Sequence, residues 1–201
     1  MQEMNKDEFS GILQDIRIAY RLLALYQTRI KDIIVFVMDK YSLGFEAGYS
    51  KFSNLTSDGK KVVLTNWSWD WLPMYLYQFS AKMFEKNGDK YFFHIFHQAD
   101  TGFYDKFGES RDETRLKITE FGSAEEARTR LFFVLGKNNG DSPYTNLLAD
   151  NLGKSTHDLI KNDTWLAMPY GLAEFYDEEC TIEVIKDFSD KCLEHFKFKM
   201  L

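Results

Sequence analysis

Apolar residues recur three and four positions apart at Phe9, Ile12, Ile16, Ala19, Leu23, Tyr26, Ile30, Ile33 and Val37. That spacing puts all nine on one stripe of a helix. Leu13, Tyr20, Leu22, Leu25, Ile34 and Phe36 widen the stripe, and Asp15, Arg17, Arg21, Gln27, Arg29 and Lys31 lie between. A helix is predicted from about Asp7 to Tyr41, roughly 45 Å long, with Gly44 as its breaker. Gly11 costs it about 1 kcal/mol relative to alanine and loosens its first turn. A heptad kept over four repeats can form a coiled-coil seam. A stripe wider than two positions per heptad favours packing within the chain. Intramolecular packing is therefore the first reading of this helix, and a homodimer through it the second.

The pattern then shortens. Gly44 to Lys61 is polar and reads as a loop, and Lys61 to Thr65 as a short strand. Met74 to Phe84 and Tyr91 to Gln98 flank Asn87-Gly88, the strongest short hairpin signal. Met74 to Phe84 also admits a helix capped by Asp70, with Pro73 in its first turn. Thr114 to Phe121 and Thr129 to Gly136 read as a strand pair around a brief helical insert, Ser123 to Ala127. Tyr144 to Asn151 and Thr156 to Lys161 read as short helices. Trp165 to Phe175 reads as a strand bent at Pro169 and Gly171, and Thr181 to Phe198 as the closing helix. Its apolar side is Ile182, Ile185, Phe188, Ser189, Cys192 and Phe196. Long helix, strands on short turns, then helices is the order of an α+β fold. The expectation is one domain over 1–201, with the helix at 1–42, antiparallel strands over 61–136, and helices with one further strand over 144–201. Both helices would pack on a mainly antiparallel β-sheet of about five strands.

Composition narrows the function classes. The 201 residues are 44% hydrophobic and 28% charged, which excludes a disordered chain. Acids outnumber bases, 31 to 25, and this speaks against duplex nucleic acid as a partner. The mixed-charge run Asp105 to Arg130 reads as a solvated face. Cys180 and Cys192 stand about 18 Å apart if their segment is helical, too far for a disulfide. Free thiols fit a reducing compartment. The N-terminus MQEMNKDEF lacks the basic-then-apolar order of a secretory signal, and no apolar run approaches the 20 residues of a membrane span. The expectation is a soluble, cytoplasmic protein with no membrane partner.

Candidate chemistry is sparse. Gly153-Lys154-Ser155-Thr156 spells the end of a phosphate-binding loop, but Leu148 stands where the motif needs its first glycine. A helix stop followed by a cap explains it. Cys192 and His195 share a helix face, with Cys192 on the apolar stripe, where cysteine acts as a small hydrophobe. In the run from Tyr91 to Asp100, His94, His97 and Asp100 are residue types that bind metals or move protons. On a strand His94 and His97 face opposite ways, so no shared metal is expected, and no cofactor. Glu174, Asp177, Glu178, Glu179 and Glu183 precede and open the last helix, where its dipole favours acids.

The aromatic share is high, and three of four tryptophans fall within five residues. Trp67, Trp69, Asp70, Trp71, Tyr75 and Tyr77 are the candidate ligand-binding residues, because Trp and Tyr offer rigid surface with a polar tip. A bulky core layer is the plainer reading of the same run. Two functions remain. One is a non-enzymatic binding or interaction protein that holds a small ligand or a protein partner through an aromatic groove or the first helix. The other is a small hydrolase or transferase with a non-local site drawn from His94, His97, Asp100 and Glu174.

Overall fold

A computed structural model describes residues 5–52, 74–103, 121–137 and 156–201. By their contacts they fall into two units, residues 1–36 and 37–201. Helix α1 runs through Lys6–Lys40. A capping box starts it: Asn5 Oδ1 accepts the Glu8 N–H at 2.9 Å, and Glu8 Oε2 accepts the Asn5 N–H at 3.1 Å. It ends four positions before the expected breaker Gly44. Ser42 takes a left-handed φ of 56°, and the Leu43 N–H reaches back to Met38 O at 2.9 Å. Serine thus holds the position glycine usually fills in this helix stop.

The stripe of α1 divides along its length. Ile30, Ile33, Ile34, Val37 and Met38 are buried, whereas Phe9, Ile12, Leu13, Ile16, Tyr20, Leu22, Leu23 and Leu25 are exposed. No helix among the described residues is long and apolar enough to cross a membrane.

The fold is α+β. Among the described residues seven strands form one sheet, where about five were expected: β1 (Phe45–Ser50), β2 (Leu76–Ala81), β3 (Phe84–Lys86), β4 (Asp89–Gln98), β5 (Arg130–Lys137), β6 (Ile160–Lys161) and β7 (Trp165–Gly171). The order is β1-β2-β4-β5-β7-β6, with β3 also on β4, and every pair is antiparallel. Part of the excess is a broken line, since β2 and β3 both pair with β4 on either side of Lys82 and Met83. Asn87 and Gly88 close the β3–β4 hairpin with φ of 53° and 83°, the double positive φ of a type I′ turn.

Met74 to Phe84 is strand, as the hairpin reading predicts, and not the alternative helix: Leu76 to Ser80 pair with Gln98 to His94. Two readings are corrected. Gly44 to Lys61 is not all loop, because β1 forms the sheet edge there. Thr156 to Lys161 is not helix. His157 takes a φ of 66°, and Ile160 and Lys161 pair with Ala167 and Leu166. The expected strand Lys61 to Thr65, most of Thr114 to Phe121, and the expected helix Tyr144 to Asn151 lie outside the described residues.

Both faces of the central strands are covered, which explains their nearly unbroken apolar runs. On one face Leu76, Phe92, Phe96, Phe132, Val134 and Ala167 form a buried cluster against Phe52, Ile160 and Trp165. On the other, Phe93 and Phe133 meet Phe188 of helix α2 (Glu178–Phe196) at 5.9 and 5.5 Å, and Phe93 meets Tyr41 at 5.4 Å. The Tyr41 hydroxyl donates to Ile185 O at 2.8 Å. Buried Val184, Ile185, Phe188, Ser189, Cys192 and Phe196 give α2 its helical stripe, and Asp177 caps it by accepting the Cys180 N–H at 2.8 Å.

Candidate functional site

Of the aromatic candidates, Trp67, Trp69, Asp70 and Trp71 lie outside the described residues. Tyr75 is buried at one end of the sheet in a group of four rings. It lies 4.4 Å from Phe52 and 6.4 Å from Phe121, and Phe103 lies 4.9 Å from Phe52 and 5.5 Å from Phe121. Tyr77 is half-buried beside Phe79, 5.0 Å away. Its ring lies over Gly48, where a Cβ would come within 2.7 Å of Tyr77 Cε1. Both tyrosines pack against the protein's own residues.

His94 and His97 point to opposite faces of β4, as strand alternation requires. His94 is half-buried and stacks on Phe92 at 4.9 Å. His97 is fully buried. Burial pulls both imidazoles down to about 4, with nearby Lys51 a lesser contributor at His94. Both are neutral at neutral pH. Asp100 accepts the Gly102 N–H at 2.7 Å and so fixes a turn. Among the described residues no group of three or more His, Cys, Asp or Glu is arranged to hold a metal.

The face that carries His94 also holds a buried cation. Arg130 is 1% exposed. Its Nε and Nη2 donate to Gln98 Oε1 at 3.0 and 2.6 Å, and its guanidinium lies 4.9 Å over the Phe132 ring. The mixed-charge run therefore does not end on a solvated residue. Cys192 is fully buried, and burial holds its thiol well above its ordinary value, which leaves it inert.

A cleft among the described residues forms elsewhere. A cavity of about 520 Å³ lies beside the end of β7, the 3-10 turn Leu172–Phe175 and the first turns of α2. His157, Tyr170, Glu174, Tyr176, Cys180 and Asp187 line it. The left-handed His157 backbone donates its N–H to Pro169 O at 2.8 Å. That turn brings His157 Nε2 to 3.1 Å from Glu174 Oε2, while Glu174 Oε1 accepts the Gly171 N–H at 2.6 Å. The Tyr170 hydroxyl donates to Asp187 Oδ2 at 2.7 Å, and burial with that bond raises its phenol. Cys180 is half-buried in the first turn of α2. Hydrogen bonding with Cys180, then Asp177, pushes Tyr176 up to about 12. A carboxylate-paired imidazole can hold or move a proton. Glu174 was in view from the sequence and His157 was not. The two stand 17 positions apart in the chain, and only the β7 connection brings them together.

A family model described as PM0109 matches residues 6–197. The chain belongs to the PM0109 family. No curated protein and no solved structure matches it. The family's description carries no activity, so a functional reading has to start from the geometry of α1 and of the cleft.

Proposed function

We propose that this is a non-enzymatic interaction protein in which the N-terminal half of α1 docks on a second copy of the chain. One observation carries the reading: the apolar row Phe9, Ile12, Ile16 and Leu23 is exposed, with Leu13, Tyr20 and Leu22 exposed beside it. Apolar side chains exposed singly are ordinary, whereas a contiguous row marks an interaction surface. Its three–four spacing is the one that lets two helices interlock side chains, and two-fold self-association is the commonest assembly. Sedimentation velocity over a concentration series tests it. The expected result is a dimer that Ile16→Glu with Leu23→Glu converts to a monomer, with unchanged circular dichroism. A wild-type protein that stays monomeric at roughly 100 μM would refute it, because an interface stronger than about −5.5 kcal/mol shows there.

The His157–Glu174 pair supports a second reading, a small hydrolase or transferase working in the cleft. A thermal-shift screen of small substrates and metals tests it, since a ligand of the folded state raises stability by mass action. Shifts that His157→Ala abolishes would favour this reading, and silence across the screen removes it.

A further inference from the structure

We infer that the two α1 helices pair antiparallel about a two-fold axis between Arg17 and Ile18, with Glu8 of each chain beside Arg29 of the other. This rests on the reading that α1 docks on a second copy, and adds its direction and register. The first argument is exposure. The open apolar stretch runs from Phe9 to Leu25 and closes before Ile30, which is fully buried, as Ile33 nearly is. An antiparallel pair centred on Arg17 and Ile18 folds this stretch onto itself. Phe9 meets the half-buried Tyr26 of the other chain, Ile12 meets Leu23, and Ile16 meets Ala19. A parallel pair places each residue beside its own copy and continues the seam onto Ile30 and Ile33, which are buried. Moving the antiparallel register one heptad toward the C-terminus calls on the same two residues.

The second argument is charge. Glu8, Asp15, Leu22 and Arg29 follow one flank of the seam at seven-residue intervals, and Leu13, Tyr20, Gln27 and Ile34 follow the other. In a parallel pair each flank meets the opposite flank of its partner. Glu8 then faces Leu13, and Arg29 faces Ile34, so no acid meets a base. In the antiparallel pair like flanks meet. Glu8 then faces the partner's Arg29 at both ends, Asp15 faces Leu22, and Leu13 and Tyr20 cover the opposite side. Glu8 and Arg29 are both exposed.

Disulfide trapping in the full chain tests the direction. Ile12→Cys and Leu23→Cys are made separately in a Cys180→Ser background. Two copies of either position lie about 16 Å apart along an antiparallel pair, beyond the roughly 7 Å between Cα atoms that a disulfide spans. The expected result is a cross-linked dimer only when the two variants are mixed. Cross-linking of each variant with itself would overturn the antiparallel register and leave self-docking standing. A monomer in sedimentation would overturn both. So would a monomer that binds vesicles containing phosphatidylserine through this face, which gives the row to lipid. Charge exchange supplies an independent readout. Arg29→Glu alone, which leaves the capping box at Glu8 untouched, should weaken the dimer roughly three- to tenfold, since two exposed ion pairs are lost. Adding Glu8→Arg in the same chain should recover most of the loss. Absence of that rescue in folded protein would overturn the register.

Discussion

Acidification from pH 7.5 to 5 should weaken the fold by about 4 kcal/mol through two residues of one strand. His94 and His97 are held near 4 by burial, against an unfolded value of 6.5. The folded values are depressed, so between about pH 4 and 6.5 the unfolded chain binds protons that the folded chain refuses. Stability from this source is complete above about pH 6.5 and is lost as the pH falls toward 4. At pH 5 each histidine forfeits about 2 kcal/mol, at 1.36 kcal/mol per unit of displacement. The pair then removes a large part of the roughly 5–15 kcal/mol that holds a typical domain together. His195 is lowered by burial as well and acts in the same direction. Urea denaturation at pH 7.5, 6 and 5, followed by tryptophan fluorescence, measures the effect. With a slope of about 2 kcal/mol/M, the midpoint should fall by about 2 M between the extremes. His97→Gln should cost stability at pH 7.5 yet remove about half of the pH dependence. Equal midpoints at pH 7.5 and 5, or an unchanged dependence in His97→Gln, would refute the burial argument.

Gly136→Ala should destabilise the protein by about 1–3 kcal/mol in the same urea assay, because a new Cβ would strike the Phe92 ring and stand 2.8 Å from Trp165 Cβ. Gly88→Ala should cost about 1 kcal/mol with nothing in its way, since the penalty comes from holding φ at 83°. A thiol reagent should modify Cys180 in the native protein and reach Cys192 only after unfolding, and two fast thiols in native protein would contradict the burial of α2. Arg130→Lys should cost about 1–3 kcal/mol in thermal unfolding, because an ammonium cannot reproduce the two-nitrogen grip on Gln98.

Elements whose signal was local were legible in the sequence. Helix α1 has nine stripe positions in register, and the β3–β4 hairpin has Asn-Gly at its tip. Burial on both faces made β4, β5 and β7 readable as apolar runs. Strand β1 escaped because it is an edge strand: Phe45 and Tyr49 are about half exposed, and Gly48 interrupts the alternation. The segment Thr156 to Lys161 misled because its only apolar residues, Leu159 and Ile160, are too few to set a period. Pairing of Ile160 with Ala167 then decided for strand. In the candidate sites, the opposed histidines of β4 followed from alternation alone. The His157–Glu174 pair had no counterpart in spacing. Arg130 looked like surface charge because its partner Gln98 is 32 positions away and is supplied by the β4–β5 ladder.

The four-ring group at the sheet end bears on how freely the sequence can change. Phe52 and Tyr75 stand at the two roots of the β1–β2 connection, and Phe103 and Phe121 flank the interval inside the β4–β5 connection. Gly122 N–H to Gly102 O at 2.7 Å and Arg128 N–H to Thr101 Oγ1 at 3.0 Å close the second pair of roots further. Below both connections the strand ends are thus tied by rings and hydrogen bonds among the described residues. Doubling the length of a connection costs only about 0.6 kcal/mol in closure entropy. With the strand ends tied in this way, a change of length in either connection is expected to act on stability mainly through that entropy.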